Sequence, residues 1–130
     1  MHQEPAKTIP QDRPLTSEER ELLTWLLKHG EPEAAEYLSQ IPSVRVIGQC
    51  GCGCPTIDLA VGDEQAARGS SSTIIADFCG TSPEGALVGI MVHVREGILS
   101  ELEVYSLSDF KKFSIPRPES LEPFGPGDSA

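Results

Sequence analysis

The chain has 130 residues, of which 20 are Asp or Glu and 10 are Lys or Arg, so its formal net charge is −10 at neutral pH. This length predicts one domain with its own hydrophobic core. The charge argues against a nucleic-acid backbone or an anionic membrane as the main partner, because both would be repelled. Basic proteins and cations are the partners that such a charge favours.

The sequence lacks the marks of a membrane or secreted protein. No apolar run approaches the roughly 20 residues that a membrane-spanning helix needs. The first 15 residues hold three prolines and no apolar segment of the kind found in secretory signals. We therefore expect a cytoplasmic protein, in which thiols stay reduced and a disulfide framework is unfavourable.

Two helices are predicted at the start of the folded region. Thr16 and Glu19 fit a capping box, and leucines at helical spacing follow, which predicts a helix over residues 16–29. Pro32 suits the first turn of a second, short helix, which Pro42 ends. Because the connection between them is short, the two helices are expected to form an αα-hairpin.

From Val44 onward, the hydrophobic pattern changes to the two-residue period of β-strands. The predicted strands cover residues 44–47, 56–61, 73–79, 87–94 and 98–106. The last two form a hairpin through a three-residue loop, 95–97, which pairs Val94 with Ile98. Consecutive strands after consecutive helices predict the α+β class, with an N-terminal αα-hairpin packed on a mainly antiparallel sheet of four or five strands.

The predicted domain organisation follows from composition. A single α+β domain is expected over residues 15–114. Residues 1–14 are expected to form a disordered arm and residues 115–130 a Pro-rich disordered tail, because both ends are rich in proline and polar residues.

The most unusual segment reads Cys-Gly-Cys-Gly-Cys-Pro over residues 50–55 and holds three of the four cysteines. In an extended chain, Cys50, Cys52 and Cys54 point the same way, which makes a face of three thiols. Soft thiolates select zinc or monovalent copper. A tetrahedral zinc site needs a fourth ligand, for which Cys79 is the leading candidate.

Two other interpretations of this segment stay open. The spacing differs from the cysteine pairs of structural zinc sites, so the cysteines are also consistent with small buried residues at a tight turn. A redox or nucleophilic role would need a nearby cation or base, and Arg45 and Arg68 are the only cations near in sequence. A disulfide between cysteines two residues apart would close a small, strained ring. For a zinc site, His93 and His29 follow Cys79 as candidate ligands.

A second group of polar residues is predicted on one face of the sheet from the alternation of the strands. Its members are Asp58, Asp77, His93, Glu101 and Glu103. Such a group would suit acid–base chemistry or a hard cation. Solvated carboxylates are nevertheless the ordinary expectation for an open face of an antiparallel sheet. A triad of Asp58, His93 and a serine among residues 70–72 is conceivable, but the local sequence contains no nucleophile elbow.

Three segments carry a resemblance to a known family. They are a leucine-rich stretch over residues 22–27, the string G-Q-C-G-C-G-C-P-T-I-D-L over residues 48–59, and a glycine-led strand over residues 97–104. On these residues the chain resembles a family of small uncharacterised bacterial proteins with a C-x-C-G-C-P-[ST]-[IV]-D-L motif, to which Cys52 and Cys54 belong. The resemblance implies a cytosolic bacterial protein and brings no established activity.

Together these observations favour a small non-enzymatic domain without a cofactor that binds another protein, as an accessory or immunity-type module for a more basic partner. The alternative is a thiolate metal-binding or redox protein that holds zinc or copper. Its ligands would be Cys50, Cys52, Cys54 and Cys79. An enzyme that uses the polar face of the sheet is the third hypothesis.

Overall fold

The computed structural model describes residues 8–66 and 70–124. The elements in chain order are β1 (Thr8–Pro14), α1 (Ser17–His29), a 3₁₀ segment (Pro32–Ser43), β2 (Val44–Cys50), β3 (Ile57–Val61), β4 (Thr73–Thr81), β5 (Leu87–Arg95), β6 (Ile98–Ser106), a 3₁₀ turn (Pro118–Ser120) and β7 (Glu122–Pro123). All seven strands form one antiparallel sheet in the order β1-β2-β3-β6-β5-β4-β7. The predictions of an α+β protein and of an antiparallel sheet are confirmed.

Two parts of the predicted fold are wrong. The sheet has seven strands instead of four or five, and the chain does not open with an αα-hairpin. The two unpredicted strands, β1 and β7, lie at the edges of the sheet, where prolines are tolerated and a buried face is not required. The second predicted helix is a 3₁₀ segment. Pro42 lies inside it and has no amide hydrogen for an α-helical bond to the preceding turn.

Both predicted disordered ends contain ordered structure. Residues 8–14 form β1, which pairs with β2. Residues 115–124 contain the 3₁₀ turn and β7, and Leu121 packs against the hydrophobic core. The folded part of the chain therefore extends beyond both ends of the predicted domain. The rest of the two predicted segments, residues 1–7 and 125–130, lies outside the described residues.

Helix α1 begins and ends as the sequence predicts. Thr16 Oγ1 accepts a hydrogen bond from the Glu19 amide (3.1 Å), and the Glu19 carboxylate accepts one from the Thr16 amide (2.9 Å). Four leucines on one face are fully buried in the core: Leu22, Leu23, Leu26 and Leu27. Each buried leucine contributes about 2 kcal/mol, so this stripe holds α1 against the sheet.

Among the described residues, no helix is long and apolar enough to cross a membrane.

The β5–β6 hairpin turns through two residues, Glu96 and Gly97, both with positive φ (53° and 77°). This is the conformation of a type I′ turn. Three pairs of residues fix the register beside the turn: Arg95 with Ile98, Val94 with Leu99, and His93 with Glu101. The predicted three-residue loop and the pairing of Val94 with Ile98 are therefore wrong. A non-glycine residue is uncommon in this conformation, so Glu96 gave no signal for the tighter turn.

Candidate metal centre

The three clustered cysteines lie at the end of β2 and in the turn that leads to β3. Their Sγ atoms all lie within 4.8 Å of one another. Cys52 is exposed, whereas Cys50 and Cys54 are half-buried, and all three thiols are free. The structure therefore brings three of the four predicted ligands together. The exposure of Cys52 also argues against the interpretation of all three as buried packing residues.

A glycine conformation produces this proximity. Gly53 has a φ of 101°, in the region that a side chain strongly disfavours. The turn that it makes places the Sγ atoms of Cys52 and Cys54 2.8 Å apart. A Cβ at this position would also lie 3.4 Å from Lys112 Cγ. The backbone conformation therefore requires Gly53, whereas a Cβ there would only make ordinary van der Waals contact with Lys112.

Thr56 anchors the cysteine loop to the sheet. Its hydroxyl accepts a hydrogen bond from the Val104 amide and donates one to the Val104 carbonyl, both at 2.9 Å. Its own carbonyl accepts a hydrogen bond from the Cys50 amide (3.1 Å), and its Oγ1 lies 3.5 Å from Cys54 Sγ. The loop that presents the thiols is therefore tied to the sheet at both of its ends.

Two backbone amides donate to sulfur atoms in this loop. The Cys52 amide donates to Cys50 Sγ and the Cys54 amide to Cys52 Sγ, each at 3.4 Å. Burial acts to raise the pKa of Cys52, but hydrogen bonds with the Cys50 and Cys54 thiols and the Cys54 amide outweigh it, so this pKa is lowered. Burial, together with hydrogen bonding to Cys52, raises the pKa of Cys50 to about 12. Cys52 therefore ionises before Cys50.

Cys79 does not join the other three cysteines. It lies on β4, and three strands separate β4 from β2 in the sheet. At about 4.8 Å per strand, this is a distance of about 19 Å, too far for one shared ion. The two histidines predicted as the next candidate ligands have other contacts. His93 Nε2 lies 2.7 Å from Glu103 Oε1, and the ring of His29 stacks on that of Trp25 at a centroid distance of 4.0 Å.

Sequence reasoning missed Lys112. Its aliphatic chain passes beside Gly53, so the fold brings this side chain to the cysteine loop. Arg45, one of the two cations predicted to be near, instead contacts Asp12 and the Gly62 carbonyl. The other, Arg68, lies outside the described residues. No local pattern signals the position of Lys112, because the contact depends on the path of the chain after β6.

A cleft of about 720 Å³ adjoins the cysteine loop. Gly53 and Cys54 form part of its wall, beside the first turns of α1 and residues 113–119. Glu84 helps to hold this last segment in place, since its carboxylate accepts hydrogen bonds from the Ser114 amide (2.9 Å) and hydroxyl (2.6 Å). The cleft gives a small molecule access to one side of the thiol cluster.

The second polar group also forms, on the adjacent strands β3, β6 and β5. Asp58 lies opposite Glu101, and Glu101 lies opposite His93. His93, Glu101 and Glu103 offer ligand atoms within 4.8 Å of one another, and His93 Nε2 lies 2.7 Å from Glu103 Oε1. The hydroxyl of Ser72 is 3.4 Å from His93 Nδ1, which is long for a hydrogen bond. This geometry does not make Ser72 an activated nucleophile.

Negative charge is crowded on this face. Burial raises the pKa of Asp58 and of Glu101; for Glu101, His93 acts to lower it while Glu103 and Asp58 raise it further. Burial also raises the pKa of Asp77, one of whose carboxylate oxygens is buried without a hydrogen-bond partner among the described residues. Burial therefore opposes the ionisation of all three carboxyl groups, and neighbouring carboxylates also oppose that of Glu101, which lowers the stability of the folded protein at neutral pH.

Glu101→Gln is expected to stabilise the protein by about 1 kcal/mol near pH 7, because it removes one of two carboxylates that face each other across strands. The folded-state pKa of Glu101 lies above its unfolded value, so the cost of its charge is present above the folded pKa and absent below about 4.3. Urea unfolding should therefore show a gain near neutral pH that vanishes by about pH 4. The exposed control Glu36→Gln should change stability by less than about 0.5 kcal/mol, and a destabilised Glu101→Gln variant near pH 7 would contradict this account.

Comparisons with known proteins gave no match among protein-family models, curated proteins or solved structures. The family resemblance of the three sequence segments therefore stays a prediction.

Proposed function

We propose that this protein binds monovalent copper through Cys50, Cys52 and Cys54. The observation that carries the proposal is the presence of three thiol sulfurs within 4.8 Å of one another on one loop. Sulfurs bound to one metal ion at about 2.3 Å in a trigonal plane lie about 4 Å apart. The sulfurs of Cys52 and Cys54, 2.8 Å apart, would need to separate, and Cys52 is exposed.

The number of ligands favours copper over zinc. Among residues 8–66 and 70–124, no fourth Cys, His, Asp or Glu side chain joins the cluster. Structural zinc sites are almost always four-coordinate with protein ligands. Monovalent copper is soft, is selected by thiolates and accepts three of them. A three-thiolate loop therefore fits Cu⁺ without an additional protein ligand.

The surroundings of the sulfurs support an ionised cluster. Three thiolates and one Cu⁺ carry a net charge of −2, which is unfavourable in a chain that is already strongly negative. The amides of Cys52 and Cys54 donate hydrogen bonds to the sulfurs of Cys50 and Cys52. Such contacts around metal ligands stabilise the bound state. Because the pKa of Cys50 is raised, copper must displace its proton, and the affinity is expected to increase with pH.

Anaerobic titration of the reduced protein with Cu⁺ against a chromophoric copper chelator tests the proposal. We expect about one Cu⁺ per chain, and a loss of affinity of at least about tenfold in Cys50→Ser, Cys52→Ser and Cys54→Ser. Cys79→Ser is the matched control and should bind like the wild type, because Cys79 lies across the sheet. Copper binding that survives the triple substitution, or that is lost in Cys79→Ser, would contradict the proposal. Preferential retention of zinc would identify a different metal.

A second proposal is that this protein is a non-enzymatic module that binds a more basic protein. Two large apolar side chains at the end of the β5–β6 pair, Leu87 and Leu107, are more than a third exposed. The Leu107 amide donates to the Leu87 carbonyl (2.8 Å), which holds the two together. Clustered exposed apolar side chains are typical of protein contact surfaces.

A bacterial source and a cytoplasmic location, where thiols are kept reduced, are also proposals.

A further inference from the structure

We propose that, in the metal-free protein, Cys52 is oxidised by hydroperoxides and that Cys54 resolves the product into a reversible Cys52–Cys54 disulfide. The oxidation depends only on the geometry of the loop. Its consequence for copper binding rests on the proposed function.

Cys52 is the thiol placed to react first. It is the exposed member of the cluster, so a peroxide in solution reaches it directly. Its Sγ lies 2.8 Å from that of Cys54, so a sulfenic acid formed on Cys52 has a second thiol beside it. Cys50 is half-buried, and it lies at the end of β2, where its amide is bound to the Thr56 carbonyl.

The turn at Gly53 selects Cys54 as the resolving cysteine. The Sγ atoms of Cys52 and Cys54 are 2.8 Å apart because Gly53 adopts a positive φ between them. Gly51, which separates Cys50 from Cys52, does not have a positive φ. Little movement is therefore needed to join Cys52 to Cys54, and the predicted product is specific for this pair.

The reaction balances without a metal. The Cys52 thiolate attacks one oxygen of the hydroperoxide ROOH and breaks the O–O bond, which gives a sulfenic acid and, after protonation, ROH. The Cys54 thiol then attacks the sulfenic sulfur, forms the S–S bond and releases water. Two thiols have lost two electrons and two protons, and the peroxide has been reduced to ROH and water.

The small ring of this disulfide makes it reversible. A strained, exposed disulfide has a more oxidising potential than a structural one and is readily reduced by dithiols. The strain expected from the sequence therefore indicates a transient disulfide. With Cys52 and Cys54 joined, only Cys50 remains as a thiol of the cluster, so copper binding should be lost until the disulfide is reduced.

The test uses the full-length, metal-free, reduced protein and about one equivalent of hydrogen peroxide. Peptide mapping after alkylation should find the Cys52–Cys54 disulfide, with Cys50 and Cys79 alkylated. Cys79→Ser, which changes a thiol across the sheet, should form the same disulfide at a similar rate. Cys54→Ser should stop at a sulfenic acid that a dione reagent traps, and Cys52→Ser should consume peroxide at least about tenfold more slowly. Thermal melting checks that each variant is folded.

The possible outcomes separate this inference from the copper proposal. A disulfide that contains Cys50, or peroxide consumption that is unchanged in Cys52→Ser, would overturn the inference. Copper titration before and after oxidation, and again after reduction by a dithiol, tests the link between the two. If the disulfide forms but the reduced protein does not bind copper, the copper proposal fails and the inference stands. If copper binds but peroxide leaves all thiols free, the inference about oxidation fails and the copper proposal stands.

Discussion

Gly30→Ala is expected to lower the free energy of unfolding by about 3 kcal/mol and the melting temperature by about 10 °C. A Cβ at this position would lie 2.4 Å from the Ile75 carbonyl oxygen and 2.9 Å from that of Leu26. Both are backbone atoms, which cannot rotate away from the clash. The Glu31 amide also donates to the Ile75 carbonyl (2.8 Å), so the end of α1 would have to move away from β4.

Urea unfolding measures this effect, and Gly51→Ala is its control. Gly51 is exposed and lacks a positive φ, so its replacement should change stability by less than about 0.5 kcal/mol. Equal stabilities for Gly30→Ala and the wild type would show that α1 does not contact β4 as described.

Glu19→Ala is expected to destabilise the protein by about 2 to 3 kcal/mol near neutral pH. The Glu19 carboxylate is largely buried and accepts two hydrogen bonds from the Arg13 guanidinium (2.9 and 3.0 Å) and one from the Thr16 amide (2.9 Å). It therefore completes the helix cap and links β1 to α1. Its removal leaves the Thr16 amide without its acceptor and the Arg13 guanidinium with only the Pro14 carbonyl, which costs more than the loss of an exposed ion pair.

The same variant should show a characteristic pH dependence. Burial acts to raise the pKa of Glu19, but the hydrogen bonds and charge of Arg13 and the amide of Thr16 outweigh it, so this pKa is lowered. A lowered pKa contributes stability that is complete above the unfolded value of about 4.3 and is lost as the pH falls through the folded value. The difference between wild type and Glu19→Ala should therefore shrink below about pH 4. Glu18→Ala, exposed in the same helical turn, should cost less than about 1 kcal/mol, and equal losses for both variants would contradict this account.

Local sequence patterns were sufficient for the elements that depend on local forces. The capping box of Thr16 and Glu19 and the leucine stripe predict α1, and two-residue alternation predicts the five inner strands β2 to β6. The edge strands β1 and β7 lack alternation, because an edge can expose most of its side chains to solvent. The 3₁₀ segment was predicted as an α-helix, since its composition is helical and only Pro42 signals the difference.

The candidate site was predictable only in part, for reasons of topology. The spacing of Cys50, Cys52 and Cys54 placed three thiols together, although a left-handed turn at Gly53, rather than a fully extended chain, produces the contact. The failure of Cys79 to join them depends on strand order. β3 pairs with β6 instead of β4, and this pairing moves β4 to the far side of the sheet. Strand order reflects long-range packing, which the pattern of a single strand does not specify.

X-ray absorption at the copper edge of the Cu⁺-loaded protein reports the ligands of the metal itself. We expect about three sulfur neighbours at about 2.3 Å, the length of a metal–thiolate bond, and no nitrogen or oxygen ligand. The same spectrum is expected from the Cys79→Ser protein, because Cys79 lies across the sheet. A coordination shell with nitrogen or oxygen donors, or with fewer than two sulfurs, would contradict a copper centre at Cys50, Cys52 and Cys54.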